Sequence, residues 1–387
     1  MRVAIVTSGR FHVLDLAREL FNLGHQVRFY SYVPRNRAER FGLPRECHHP
    51  LLPYVRPLGA LQQRGPSRLK EKADTLLQRA IDRLACRLVK SCEVFIGMSG
   101  LCVQSALAAR KRFGAKVFIE RGSRHILSQK EILENIPVAP GAKQPCVSVF
   151  NMQRELAGYE LADVIVVPSL HAQESFVERG VAKEKVFRNP YGVDLAMFLP
   201  TPVPQTNPAT ILFVGAWSLQ KGCDVLAEAW RSLPDTRLMH VGPAGDAVLP
   251  RHPNFVHHDA VPQWELKEFF GQAHVFAIAS RQEGLSLVQA QALACGLPLV
   301  CTTRTGGEDL REFVPDPDQI TVVPPDDSTA LANALRQALG KVRAGSGLRD
   351  NLGNAREKLS WRGYGERYDA CLRQRVSPLT GFRSAET

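Results

Sequence analysis

The sequence predicts an α/β protein built from two Rossmann-like parallel-sheet domains, and three observations carry that prediction. The chain opens on a β–α–β plan, it repeats the plan after a proline-spaced connection, and its 387 residues suffice for two domains. An apolar content of 44% with 22% charged residues marks a globular chain with ample core. No run reaches the roughly 18 apolar residues needed to cross a bilayer. MRVAIVTSGR has too short an apolar stretch for a secretory leader and reads as a first strand. The nine cysteines form no CxxC pair and no zinc-type spacing with histidine. They read as buried thiols in a reducing cytoplasm, with neither metal nor disulfide expected.

Met1 to Val6 alternates as a buried strand. Thr7-Ser8-Gly9-Arg10 then turns the chain into a helix from Val13 to Leu23, which Gly24-His25 ends before the strand QVRFYSY. In an open parallel sheet, ligands sit at the carboxyl ends of strands, so Gly9 and Arg10 are expected to face a cleft. A tight strand-to-helix turn would use a glycine there on its own account. Residues 33 to 66, rich in proline and arginine, read as loop with short elements, and His48-His49 as solvent-facing. A helix follows with Leu69, Ala73, Leu76, Leu77, Ala80, Ile81, Leu84 and Leu88 on an apolar stripe. Arg68, Lys70, Lys72, Arg79, Arg83, Arg87 and Lys90 lie opposite.

EVFIGMSG is a strand and small-residue turn, followed by a helix to Arg112. AKVFIERGSRHI is the next strand, running into Glu120-Arg121-Gly122-Ser123. Charged residues directly after a buried strand in this topology point into the cleft. Glu120, Arg121 and the more distant His125 are therefore candidates for one wall of a site, while a structural Glu120–Arg121 ion pair accounts for the first two equally well. Residues 135 to 148 form a proline-bearing loop, Arg154 to Leu161 a helix and ADVIVVPS a buried strand, and Ser169 caps the helix after it. KVFRNPYGVDLAMF leads into Pro200, Pro202, Pro204 and Pro208, a stiff exposed connection.

The second half restarts with ATILFVGAW, a turn at Gly215 and a helix through Ala227 to Trp230. TRLMHVGPAG and NFVHHDAV are further strands, with His257-His258 read as structural, and WELKEFFGQA is a helix. The informative stretch is ASRQEGLSLVQAQALACGLPLVCTTRTGGEDL, where Glu283 and Gly284 follow a strand from Val275 to Ala279. A helical run then places Leu287, Ala290, Leu293 and Ala294 on one face before Gly296-Leu297-Pro298 stops it. Unpaired amides at its start, near Leu287 and Val288, make an anion site. Glu283 beside them can accept hydrogen bonds from neutral hydroxyls, a pairing that fits a sugar nucleotide. Glu308 is expected at a turn near the cleft; ITVVPPDD and ALANALRQAL give the last strand–helix pair.

These residues resemble the donor-site segment of the retaining glycosyltransferases of family four, the glycosyl transferases group one, which have the GT-B architecture. The family's signature is a Glu, seven residues, a second Glu, then a small-residue helix and Gly-x-Pro; here the positions hold Glu283, Gln291 and Gly296-Leu297-Pro298. The resemblance implies that Glu283 contacts the sugar hydroxyls and Gln291 the ribose hydroxyls, for which an amide still has a donor and an acceptor. Gly215, Lys221 and Gly222 match the family's Gly-Arg, four residues, Lys-Gly turn that grips the diphosphate. Ala216 stands in place of the arginine, leaving Arg121, Arg188 or Arg10 to supply that charge from across the cleft. Val261 falls where relatives read the base through the backbone, and Gly284, Leu287, Val288, Gly9 and Arg10 complete the implied donor set. The implied catalytic groups are Glu283, Lys221 and Arg121, with Glu120 and His125 on the acceptor side.

On this resemblance, residues 1–195 form an acceptor-side domain and 209–360 a donor domain facing it across a cleft. Residues 361–376 form a helix returning to the first domain, and 377–387 a disordered tail. The implied activity is metal-independent retaining hexosyl transfer from a nucleotide-diphosphate sugar, a substrate rather than a cofactor, to a hydroxyl acceptor in polysaccharide or glycolipid biosynthesis. Two other classes fit the same plan: a sugar-nucleotide epimerase, and a non-catalytic nucleotide- or glycan-binding partner of a transferase, prompted by Ala216 and Gln291.

Charge adds a partner. Up to Arg188 the chain has 30 Lys+Arg against 17 Asp+Glu, and from Asn189 onward 19 against 21. The excess therefore belongs to the first domain and attracts phosphates, of nucleic acid or of an anionic membrane face. Stacking aromatics do not interleave with the basic residues, so a membrane surface is preferred, no nucleic acid is expected, and the acceptor is read as glycan or lipid-linked. The expected location is cytoplasmic, peripheral at the inner membrane face.

Overall fold

The computed structural model describes residues 1–64, 66–138, 144–344, 349 and 352–376. The tail expected from 377, and Pro140 and Gly141 of the expected loop, lie outside the described residues.

Among the described residues, thirteen strands form two sheets. The front sheet holds β1 (Arg2–Thr7), β2 (Gln26–Ser31), β3 (His48–Pro50), β4 (Val94–Met98), β5 (Lys116–Glu120), β6 (Val164–Val167) and β7 (Val186–Arg188). The rear sheet holds β8 (Ala209–Val214), β9 (Thr236–Val241), β10 (Phe255–His258), β11 (Val275–Ile278), β12 (Leu299–Thr302) and β13 (Ile320–Val323). Their orders are β3-β2-β1-β4-β5-β6-β7 and β10-β9-β8-β11-β12-β13. Every pairing is parallel. Parallel strands covered on both faces read as continuous apolar runs, and β6 (VIVV) and β8 (ATILFV) are buried at every position. In both sheets the strand order reverses beside the first strand, between β1 and β4 and between β8 and β11.

The front helices are α1 (Phe11–Asn22), α2 (Arg35–Arg40), α3 (Arg56–Arg64), α4 (Ser67–Leu88), α5 (Val103–Phe113), α6 (Ile126–Glu134), α7 (Val149–Leu161) and α8 (Leu170–Val177). The rear ones are α9 (Cys223–Arg231), α10 (Leu266–Gln272), α11 (Leu287–Ala294) and α12 (Ser328–Ala344), followed by α13 (Trp361–Val376). One core cluster underlies α4, α5 and α7 on one face of the front sheet. The other joins the α1 face of that sheet to the rear domain and to α13.

α13 packs along α1 through Tyr364, Tyr368 and Leu372, all buried. Polar contacts fix its register: the Tyr368 hydroxyl donates to Glu120 Oε1 at 2.7 Å, His25 Nε2 meets Asp369 Oδ1 at 2.8 Å, and Arg367 donates to Asn189 Oδ1 and the Pro190 carbonyl, each at 2.8 Å.

Three expectations for the front domain change. Residues 33 to 66 fold into α2, β3 and α3 with two 3₁₀ turns, more structure than a loop with short elements. His48 is buried rather than solvent-facing, because β3 adds to the sheet edge beside β2; its Nε2 lies 3.2 Å from Ser31 Oγ and burial pushes its pKa down to about 4. His49 stacks on Tyr30. On α4 the buried stripe is Ala73, Leu77, Ile81 and Ala85, while Leu69 and Leu76 are 42% and 47% exposed, so the helix docks through a narrower face than its leucines suggest. Buried Asp82 on that face accepts from the Gln104 and Ser105 amides at 3.0 and 2.7 Å and from Arg154 at 2.6 Å, tying α4 to α5 and α7.

Candidate functional site

The rear switch point brings two loops together. After β8 the chain passes Gly215 and Ala216 and reaches Lys221 and Gly222 before α9. Gly222 sits at φ +63°, and a Cβ there would stand 2.0 Å from the Ala279 carbonyl oxygen. Only glycine lets this turn lie against the end of β11. The close approach delivers Lys221 Nζ to Glu283 Oε1 as an ion pair, both side chains only partly exposed. Ser280 Oγ donates to the same carboxylate oxygen at 3.3 Å. Gln220 Nε2 donates to Gln282 Oε1 at 2.8 Å, a second tie between the loops.

Arg281, which the sequence reading passed over, fastens the pair of loops from beneath. Its guanidinium grips Asp224 through two 2.7 Å bonds, reaches Asp326 at 2.6 Å and donates to the Leu219 carbonyl. Its signal was its place two residues before Glu283, on a strand end that otherwise carries small and apolar groups. His240 steadies the other side: its Nε2 donates to the Gly215 carbonyl at 2.9 Å, so its Nδ1 is left to accept from His257 Nδ1, 2.9 Å away. Burial holds the His240 pKa down at about 4, which keeps that tautomer neutral.

α11 starts at Leu287 behind Ser286, whose side chain makes no cap. Among the described residues the amides of Leu287 and Val288 have no hydrogen-bond partner. Gln291 is buried one turn further on, and its Oε1 has no partner among the described residues. A buried unpaired carbonyl costs about 1–3 kcal/mol and asks for a donor. Val261, half-buried against the core, precedes the Gln263–Glu265 turn that reaches the front domain. Ala216 carries no charge to the site. Among the described residues, no group of three or more His, Cys, Asp or Glu is placed to hold a metal.

The front-domain residues lie differently from the reading of their positions. Glu120 is buried and is taken by His12 Nε2 at 2.9 Å and by the Tyr368 hydroxyl, so it braces α1 and α13 and does not meet Arg121. Arg121 is half-buried on the opposite side, donating to the Arg124 carbonyl at 3.1 Å and to Gln129, with Glu155 3.0 Å from its Nε. His125 caps α6, accepting from the Leu127 amide at 3.3 Å between Tyr159 and Phe176, and burial pushes its pKa down to about 4. Strand alternation is the reason: Glu120 and Arg121 leave β5 toward opposite faces, and the chain then turns His125 inward. Gly9 lies in the turn after β1, and Arg10 donates across the cleft to Gln263 Oε1 at 2.7 Å and to Asp15 at 3.4 Å. Phe11, unflagged in the sequence, holds φ +38° with its ring exposed. None of the arginines considered as substitutes at Ala216 is uncommitted, since Arg188 is bound to Asp309 and Glu312 at 2.6 and 2.7 Å.

The two domains touch around the peptide after Glu283. The Gly284 carbonyl accepts from Ser169 Oγ and from His171 Nε2, each at 2.8 Å, and Gln282 donates to Ser123 Oγ. A Cβ on Gly284 would lie 2.0 Å from the Gly122 carbonyl oxygen. Asp309 makes the second bridge, accepting from the Leu170 amide at 2.8 Å and from Arg188. Glu308, expected near the cleft, is exposed beside Arg311, and its neighbour Asp309 turns inward instead.

Comparison with known proteins follows the same division. Residues 208–341 match the family described as "Glycosyl transferases group 1". A phosphatidylinositol N-acetylglucosaminyltransferase subunit of Arabidopsis thaliana is 28% identical over 197 residues, 47% of this chain and 43% of that protein. The D-inositol 3-phosphate glycosyltransferase of Xylanimonas cellulosilytica is 30% identical over 258 residues, 59% of each chain. The chain thus spans about half the length of these curated relatives. Among solved structures, Anabaena HepE in complex with UDP and glucose superposes with a TM-score of 0.66 at 14% identity, over 97% of this chain and 100% of that one. That likeness is one of fold, two parallel-sheet domains in the GT-B arrangement.

Proposed function

We propose that this chain, which matches the glycosyl transferases group 1 over residues 208–341, is a retaining hexosyltransferase using a nucleotide-diphosphate sugar and a hydroxyl acceptor. The observation that carries the reading is the meeting of Lys221 and Glu283 at the rear switch point, beside the unpaired amides of Leu287 and Val288. The ammonium and the amides receive the departing diphosphate, whose charge grows as the anomeric C–O bond breaks; stabilising it is the main rate contribution. Glu283 accepts from the sugar hydroxyls, and Gln291 Oε1 accepts from a ribose hydroxyl, which gives that buried carbonyl its partner. The acceptor oxygen joins the anomeric carbon on the face from which the diphosphate leaves. The chain brings no cofactor of its own to this scheme. With the Ala216 position uncharged, the helix amides take a larger share of the diphosphate than Lys221 alone supplies.

The relatives' names speak of inositol phosphate and phosphatidylinositol, and the front domain is basic, so a lipid-linked or surface-glycan acceptor at an anionic membrane face belongs to the same proposal. No helix among the described residues is long and apolar enough to cross a membrane. The test is a thermal-shift screen against UDP-, GDP- and other nucleotide sugars, followed by transfer and donor-hydrolysis assays. One donor class is expected to raise the melting temperature, and Lys221→Ala and Glu283→Ala are each expected to abolish transfer with the fold retained. Wild-type transfer in either variant removes the site assignment. Donor binding without transfer or hydrolysis favours a non-catalytic partner, and isomerised nucleotide sugar without acceptor favours an epimerase.

A further inference from the structure

Two cavities meet at Arg37. The first, of about 390 Å³, lies at the carboxyl ends of the front strands, walled by Ser8 and Gly9 after β1, Leu101 after β4, and Asp74 and Gln78 on α4. It occupies the point where the front strand order reverses, the crevice where open parallel sheets take their ligands, and its volume is in the range of small-molecule sites. The second, of about 370 Å³, runs from Pro34 and Arg37 past Arg40 and Phe41 to Trp264 of the rear domain. Arg37 and Pro34 line both, so the two form one path from the Gly9 turn to Trp264.

The charge along this path is unbalanced. α2, RNRAER, has one acid, Glu39, and it is turned to Arg45 at 3.9 Å. Arg37 and Arg40 are exposed and form no ion pair among the described residues. Arg40 lies over the Trp264 ring at 5.8 Å, and that ring is 43% exposed. Arg10, between the two cavities, is held by Phe41, Gln263 and Asp15 and shapes the wall. Arg10 is thus paired with Asp15, whereas Arg37 and Arg40 keep their guanidinium forks unspent, and Asp74 is the acid among the described lining residues. A fork binds two oxygens of a tetrahedral oxyanion side by side, and two forks on one helix suit a phosphate group.

We infer that this double cavity holds the acceptor substrate by a phosphate group, gripped by Arg37 and Arg40, with its hydroxyl-bearing part toward Gly9, Asp74 and Gln78. This rests on the transferase reading and adds the chemical class of the acceptor. Asp74 and Gln78 accept from hydroxyls, and the exposed face of Trp264 covers a ring or a glycerol backbone.

The test uses the full-length protein with its rear site filled by whichever nucleoside diphosphate binds it. Glucose 6-phosphate and glycerol 3-phosphate are titrated against glucose and glycerol, following tryptophan fluorescence, with Trp264→Phe identifying the reporter. At least one phosphorylated compound is expected to bind ten-fold or more tightly than its parent, and inorganic phosphate to compete. Arg37→Gln with Arg40→Gln is expected to abolish the preference at an unchanged melting temperature, and Arg37→Lys with Arg40→Lys to keep part of it. Glycerophosphoglycerol tells a lipid-type diester from a monoester, and preference for either supports the inference. Equal binding of phosphorylated and parent compounds, or a preference that survives the glutamine variants, overturns it. Nucleotide binding without phosphate preference overturns this inference alone, whereas failure to bind any nucleoside diphosphate or nucleotide sugar overturns the transferase reading beneath it.

Discussion

At the scale of single residues, Gln291 makes the sharpest statement. Its carbonyl oxygen is buried with no partner among the described residues, so the folded chain without ligand is incompletely satisfied at that point. Gln291→Glu would place a carboxylate there, strengthening a hydrogen bond from a ribose hydroxyl but burying a charge when none is present. The variant is expected to lose about 1–3 kcal/mol of stability in the absence of nucleotide and to gain more from nucleotide binding than wild type. Paired denaturation curves with and without nucleotide check it, and equal ligand-induced gains in the two proteins would sink the assignment. Lys221 and Gln291 were legible through the resemblance of their segments to the family's donor-site motifs, and Glu283 also through its place just after a buried strand. Glu120, Arg121 and His125 were not, since spacing says where a strand stops and leaves open which face each side chain takes. Arg281 was hidden for a related reason: its partners, Asp224 and Asp326, lie 57 and 45 residues away.

Among the elements, α4 separates what patterning reveals from what packing decides. Its charged face is exposed as the sequence suggested, with Lys70, Lys72, Arg79 and Arg83 all open to solvent, yet Leu69 and Leu76 join that outward face. Exposed leucines among lysines and arginines suit an anionic lipid surface, with roughly 1 kcal/mol from each basic side chain near the headgroups. Flotation with vesicles containing anionic lipid is expected to carry the wild-type protein. Reversing Lys70, Lys72, Arg79 and Arg83 to glutamate is expected to weaken that association by roughly a hundred-fold or more. Wild-type flotation that ignores lipid charge would remove the membrane partner from the proposal. The doubly wound sheets were legible because buried parallel strands announce themselves as apolar runs. β3 and α3 were not, because a three-residue edge strand and a helix of low apolar content leave no periodic trace against a background of proline and arginine.

At the scale of the whole molecule, protons and the contact between domains set the behaviour. His48, His125, His171 and His240 are each pushed down to about 4 by burial, whereas unfolded histidine titrates near 6.5. Between those values the unfolded chain binds more protons than the folded one, so stability rises with pH across the window. The melting temperature is therefore expected to hold above about pH 6.5 and to fall from there toward pH 4, with stability dropping by up to roughly 1.4 kcal/mol per pH unit for each histidine. Asp15 and Asp309, whose pKa values burial raises, take up protons more readily when folded and soften the fall. Calorimetry at stepped pH measures the trend, and a melting temperature unchanged between pH 7 and pH 4.5 would contradict it. His171 belongs both to this set and to the seam, since it donates to the Gly284 carbonyl. That carbonyl is one peptide beyond Glu283, and it is anchored by residues of the opposite half. Any swing that parts the halves must first let go of this peptide, so it would slacken at the same stroke the acid that faces Lys221.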